Sequence, residues 1–155
     1  MGIAFTPDGK KAYVANTGDG TNVYVINTKT NTVKSTVNLG STPSGVVIPN
    51  GVAISPNGKN AYVTRNDGTV SIIDTVTDKV KYTVICFWGR DTGTFGDGPI
   101  GVAPTPDGKK VYVVCQRTNN VFVIDAKTNT IKTVVPVGSH PIAFGQFIGS
   151  IPVKK

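Results

Sequence analysis

The sequence of 155 residues contains no glutamate, one leucine, one histidine, one tryptophan, one methionine and two cysteines. Each shortage excludes something. With Leu39 alone and Glu missing, the common helix formers are nearly gone, which argues for an all-β chain. A single histidine, His140, leaves no HxxxH, and Cys86 and Cys115 form no CxxC, so the spacings of a zinc site are absent and no cofactor is implied. Two cysteines are also too few for a disulfide framework, and both are expected to be small buried residues. No apolar run approaches the roughly 18 residues of a membrane-spanning helix, and MGIAFTPDGK has neither the basic start nor the apolar stretch of a signal peptide. The expectation is therefore no membrane insertion and no signal peptide in this chain.

What is present is β-forming. There are 23 Val and 20 Thr, while the 18 Gly and 10 Pro fall in short clusters between apolar runs, where they act as turn punctuation. Self-similarity then decides the architecture. GIAFTPDGKKAYVAN starts at Gly2, GVAISPNGKNAYVTR at Gly51 and GVAPTPDGKKVYVVC at Gly101, so equivalent positions recur after 49 and 50 residues. The second halves repeat as well: NVYVINTKTNTVKSTV from Asn22, TVSIIDTVTDKVKYTV from Thr69 and NVFVIDAKTNTIKTVV from Asn120. Each unit reads as four short strands, which in the first unit are Gly2 to Phe5, Lys11 to Ala15, Asn22 to Ile26 and Thr32 to Asn38. The strands will be called A to D. The A–B links are Pro-led turns with a Gly for the positive φ, and the C–D links are loops led by Asn27, Asp74 or Asp125, whose side chains can cap nearby backbone N–H groups. A four-stranded meander cannot bury both faces alone, and radial stacking of such sheets does so.

The fold expected is all-β: three four-stranded antiparallel β-propeller blades (2–49, 50–99 and 100–140) in one domain or fragment, with a terminal segment, 141–155, supplying the first strand of a fourth. The strands AYVAN, AYVTR and VYVVC, with PDGK and the TKTNTV hairpin, resemble the YVTN family of β-propeller repeats, common in archaeal and bacterial surface-layer and other cell-surface proteins. The likeness runs over nearly the whole chain, and the WD and Gly-His signatures of WD40 propellers are absent. It departs in two loops, SGVVIPN after Pro43 and CFWGRDTGTFGDG after Ile85. The resemblance implies a non-enzymatic cell-surface or secreted module that presents loops to a protein or glycan ligand. The alternatives are part of a propeller enzyme, lactonase-like or redox-cofactor type, and an intracellular interaction scaffold.

Propellers have four to eight blades, so three cover about half a ring and leave an apolar sheet face at each end. Two partners would close it: a second copy, giving a six-bladed homodimer, or the remaining blades of a longer chain. Ile3-Ala4-Phe5 recurs as Ile142-Ala143-Phe144, so both chain ends carry a candidate inner strand.

Candidate binding residues lie in the D–A and B–C loops. Trp88, Arg90, Asp91, Phe95 and Asp97 occupy an insertion that a plain blade does not need, and Arg65, Arg117 and His140 lie in neighbouring loops of the same face. Aromatic rings with polar handles suit sugars or a peptide. The opposite face collects Lys10, Lys11, Lys29, Lys59, Lys79, Lys109, Lys110 and Lys127, which carry most of the net charge of +7 and could attract an anionic glycan. No aromatics interleave these lysines to stack bases, which argues against nucleic acid. No catalytic or metal-binding constellation is readable. NTGDGTN from Asn16 lacks the acid that closes a calcium loop, and Ser and His have no nucleophile motif around them.

Overall fold

The computed structural model describes residues 2–18, 22–42, 45–86 and 98–143, and over them the chain forms three four-stranded antiparallel sheets, each strand paired with its neighbours in sequence. Blade 1 is β1 (Ile3–Phe5), β2 (Lys11–Asn16), β3 (Asn22–Asn27) and β4 (Thr32–Asn38). A ribbon of β5 (Ser41–Thr42) and β6 (Gly45–Val46) follows in the loop after Asn38, an element that the repeat pattern does not announce. Blade 2 is β7 (Pro49–Ile54), β8 (Asn60–Arg65), β9 (Thr69–Asp74) and β10 (Lys79–Ile85); blade 3 is β11 (Pro99–Pro104), β12 (Lys110–Cys115), β13 (Asn120–Asp125) and β14 (Thr130–Pro136). The described residues contain no helix, and so none long and apolar enough to cross a membrane.

The turns show why the repeated residues are what they are. In each A–B turn the glycine N–H bonds the carbonyl three residues back at 2.8 Å (Gly9 to Thr6, Gly58 to Ser55, Gly108 to Thr105) with the glycine at positive φ. Asp8, Asn57 and Asp107 accept the hydroxyl of Thr6, Ser55 or Thr105 at 2.6–2.8 Å and the N–H of Lys10, Lys59 or Lys109 at 3.0–3.1 Å. Ser/Thr-Pro-Asp/Asn-Gly-Lys is thus a self-contained hydrogen-bonding unit. In the C–D turns, Asn27, Asp74 and Asp125 accept N–H bonds from two and three residues on, as their positions predict. Asn31, Asp78 and Asn129 then take the left-handed conformation with φ of 55–57°, which Asn and Asp tolerate better than other side chains. The C–D pairing slips register at equivalent places, between Val25 and Ile26, Val80 and Tyr82, and Val123 and Ile124. Such bulges increase the local twist.

Two cores lie between blades. One joins Tyr13, Val23, Val25, Val37 and Leu39 of blade 1 and its exit loop to Val52, Ile54, Ala61, Val63 and Ile73 of blade 2. The other joins Tyr62, Val70, Ile72 and Val84 of blade 2 to Val102, Val111, Val113, Phe122 and Ile124 of blade 3. Alternation along β7, β8 and β9 of blade 2 sends one set of side chains to each neighbour, so these strands are buried on both faces, whereas β10 is mostly exposed. The inner strands meet through glycine: a Cβ on Gly2 would lie 2.7 Å from the Val52 nitrogen, and one on Gly51 2.6 Å from the Ile100 oxygen. Gly101 likewise faces Ala143, so the last described residues, 141–143, lie beside β11 where a fourth inner strand belongs, although they are not themselves in strand pairing. Residues 144–155 of the expected terminal strand fall outside the described residues.

The ends of the stack are open among the described residues. Ile3 and Phe5 are 57% and 58% exposed, whereas Val52 and Ile54, their counterparts in blade 2, are 1% and 6%. At the other end Tyr112 is 37% exposed, against 0% and 1% for its counterparts Tyr13 and Tyr62. Cys86 and Cys115 are fully buried in the core between blades 2 and 3. A thiol reagent should therefore label neither cysteine in the native protein within minutes and both after unfolding in denaturant, read by mass spectrometry; rapid native labelling of either would contradict this packing.

Candidate functional site

Arg65, Arg117 and His140, expected together in the D–A and B–C loops, have different tasks in the structure, and Arg65 is not in a loop. Arg65 ends β8 and is buried: its Nη1 donates to Ser71 Oγ at 3.0 Å and its Nη2 to Asp67 Oδ2 at 2.6 Å. Asp67 in turn accepts the N–H and hydroxyl of Thr69 at 3.2 and 2.7 Å, and Gly68 supplies a φ of 83°. Arg65 therefore braces the Asp67-Gly68 hairpin of blade 2 from within and does not reach toward solvent. Arg117 is exposed, and its alkyl stem lies against Gly98: a Cβ there would come 3.0 Å from Arg117 Cγ. The end of the long insertion thus rests on Arg117, with the Gln116 N–H bonded to the Gly98 carbonyl at 3.2 Å. His140 is exposed at a φ of 53°, and its N–H bonds Asn119 Oδ1 at 2.9 Å. Arg117 and His140 consequently share the loop cluster at one end of blade 3, while Arg65 belongs to blade 2. Trp88, Arg90, Asp91, Phe95 and Asp97 lie outside the described residues.

The opposite face holds a groove of ≈ 400 Å³ between the first two A–B turns, lined by Pro7, Asp8, Lys10, Lys11, Pro56 and Lys59 among others. The turns stack on each other: a Cβ on Gly58 would lie 3.2 Å from the Pro7 ring, and one on Gly108 3.8 Å from the Pro56 ring. Lys10 stands free in solvent except for a loose approach of 3.7 Å to Asp8, an exposed pair of little energetic weight.

Lys11 is not part of a diffuse positive surface. Its ammonium donates to Asp78 Oδ1 and Oδ2 at 2.8 and 3.0 Å and to the Thr75 carbonyl at 2.6 Å. The Asp78 carboxylate also accepts Lys34 Nζ at 2.8 Å, Ser35 Oγ at 3.3 Å and the Tyr13 hydroxyl. Blade 2 thus inserts one carboxylate into a socket of two ammoniums and two hydroxyls on blade 1. Burial alone would raise the Asp78 pKa, but hydrogen bonds from Lys11, Lys34 and Tyr13, with the charge of Lys11, outweigh it and hold the group below the ordinary aspartate value. The Tyr13 phenol is pushed up by burial and by Asp78 and stays protonated. Sequence reasoning passed over this cluster. One signal was available: Asp78 stands where the other repeats have Asn31 and Asn129.

The remaining described aspartates are also committed. Asp8, Asp74, Asp107 and Asp125 cap turns and are held below the usual value, chiefly by hydrogen bonds from turn hydroxyls or backbone N–H groups, and Asp67 binds Arg65. Among the described residues no three His, Cys, Asp or Glu side chains come together as metal ligands would.

A ring of sheets stacked through apolar faces, with function left to the loops, defines a β-propeller. The chain belongs to the seven-bladed β-propeller lactonase family, whose model matches residues 2–137. No curated protein matches it. Among solved structures it is similar to the Kuenenia stuttgartiensis hydrazine synthase, with 25% identity and a TM-score of 0.69 over 86% of this chain and 36% of that one. The chain therefore spans about a third of the length of that structure.

Proposed function

We propose that this chain is a non-enzymatic propeller segment, a structural and binding module that presents its D–A and B–C loops to a protein or glycan ligand. The observation that carries this reading is the state of the carboxylates. All six described aspartates are bound into turns or ion pairs, and each resolved pKa shift among them is downward, opposite to what a general acid working near neutrality requires. The YVTN-like repeats support a place in a cell-surface or secreted parent protein. Arg117, seated beneath the end of the insertion, and His140 beside it would form the described part of the ligand rim, with Trp88 and Phe95 as apolar contacts.

A second reading, favoured by the lactonase family match, is that the chain contributes to a lactone-hydrolysing ring. It would need ligands or acids beyond those described here, with Asp91, Asp97 and His140 as this chain's candidates. The two readings separate in one set of assays. Glycan-array binding by the whole chain should fall at least about tenfold in Trp88→Ala and Arg117→Ala with no change in melting temperature, as for anchors of a loop-borne site. Hydrolysis of a δ-lactone above background that is lost in Asp91→Asn or Asp97→Asn would overturn the non-enzymatic reading.

A further inference from the structure

The two blade junctions present in this chain show what one blade face asks of the next. At the first, blade 1 offers Lys11, Tyr13, Lys34 and Ser35, and blade 2 answers with Asp78 at the left-handed position of its C–D turn. At the second, the repeat places Asn60, Tyr62, Lys81 and Tyr82 of blade 2 at those four positions, and the left-handed residue of blade 3 is Asn129. There Asn60 Nδ2 approaches the Tyr62 hydroxyl at 3.4 Å, and Lys81 leans toward Asp74 of its own blade at 3.8 Å. A face with two lysines thus receives a carboxylate, and where the first lysine position holds an amide, the left-handed residue of the next blade is an amide as well.

The outward face of blade 3 carries Lys110, Tyr112, Lys132 and Thr133 at these positions, the same lysine, tyrosine, lysine and hydroxyl as blade 1. Tyr112 stands partly in solvent, and neither Lys110 nor Lys132 comes within ion-pair distance of a described carboxylate, although Lys132 lies close enough to Asp125 to stabilise its charge. Among the described residues Pro106 has no glycine against its ring as Gly58 and Gly108 stand against Pro7 and Pro56, although all three prolines are exposed. The four side chains with which blade 1 receives Asp78 thus recur here in kind, with no carboxylate bound to them among the described residues.

We propose that this face is the docking surface for a β-propeller blade whose C–D turn bears an aspartate at its left-handed position, and that Lys110, Tyr112 and Lys132 bind that carboxylate. A second copy of this chain would not satisfy it. The free face of a second copy is blade 1, whose left-handed residue is the neutral Asn31, so both ammoniums would be covered without a counter-charge. Two three-bladed copies would also give six blades in a family described as seven-bladed. This inference is independent of the ligand-binding reading and is read from association, not from activity.

The test supplies the missing charge on the intact chain. Asn31→Asp keeps a residue that the turn accepts, as Asp78 shows at the same φ of 55°. In sedimentation equilibrium at low salt, Asn31→Asp should strengthen self-association about tenfold or more over the native chain, and Lys110→Gln in the same background should return it to the native level. A second measurement moves the pair inward: Asn60→Lys with Asn129→Asp should recover most of the melting temperature lost in Asn60→Lys alone. Association that is unchanged by Asn31→Asp, association that ignores Lys110→Gln, or an Asn60→Lys loss that Asn129→Asp fails to repair would each overturn the proposal.

Discussion

Replacing Gly51 with alanine is expected to destabilise the protein by about 3 kcal/mol, at the upper end for overpacking a core. The added Cβ would sit 2.6 Å from the Ile100 carbonyl oxygen, 3.1 Å from Thr64 Oγ1 and 3.5 Å from Gly101 Cα. Two of these neighbours are backbone of the next inner strand, which cannot swing aside as a long side chain can. The third, Thr64, accepts the Gly51 N–H at 2.7 Å, so displacing it also removes a buried hydrogen bond. Gly51 is not held at positive φ, so the cost is one of space between blades and not of backbone conformation. Gly138→Ala is the control, since nothing lies within 4 Å of a Cβ there, and its effect should stay within about 0.5 kcal/mol. Urea denaturation of the two variants measures the contrast, and equal midpoints would show that the blades have room to separate.

The second large effect is expected at Asp78. Asp78→Asn preserves the left-handed turn, because Asn31 and Asn129 adopt the same φ, and so isolates the charge. Its side chain is 5% exposed and Lys11's is 18%, and stripping one partner from a fully buried pair costs roughly 3–5 kcal/mol. Lys34, however, is 44% exposed and can recover water, so the expected loss is about 2 kcal/mol. The acid limb provides an independent check. A carboxylate held below its unfolded value contributes fully above that value, about 3.9 for aspartate, and loses its contribution as pH falls through the lower folded value. The stability difference between the native chain and Asp78→Asn should therefore be constant from pH 7 to about 5 and shrink below about 4. Part of the acid sensitivity will remain in the variant, because Asp8, Asp74, Asp107 and Asp125 are depressed as well. A difference that stayed constant to pH 2 would mean that Asp78 matters for shape and not for charge.

Much of the blade was legible from local rules. The strands agree with the spacing to within a residue at nearly every end of the first unit, because alternation and Gly/Pro punctuation act over a few residues. The Pro-Asp-Gly turns and the Asx-capped C–D loops were readable for the same reason: donor and acceptor lie within five positions of each other. The register slip on strand D was not, since Val25-Ile26 looks like any other apolar pair. Nor was the small ribbon of β5 and β6.

The candidate site shows the limit of such reading more sharply. The sequence placed Arg65 in a B–C loop, whereas it is the last residue of β8, and its guanidinium turns inward to Ser71 and Asp67. Lys11 was counted among the charges of a lysine-rich face, yet its partner lies 67 positions away in another blade.

The all-β class, the three-unit repeat, the turn chemistry and the blade meander follow from the residues alone, because each depends on contacts between residues close in the chain. Which side chains serve the junctions is settled in three dimensions: the glycines where inner strands touch, the Asp78 socket, and the copy of that socket on blade 3 that no described carboxylate fills. These depend on how one sheet lies against the next, a relation set by packing across about fifty residues of chain and invisible to any local window.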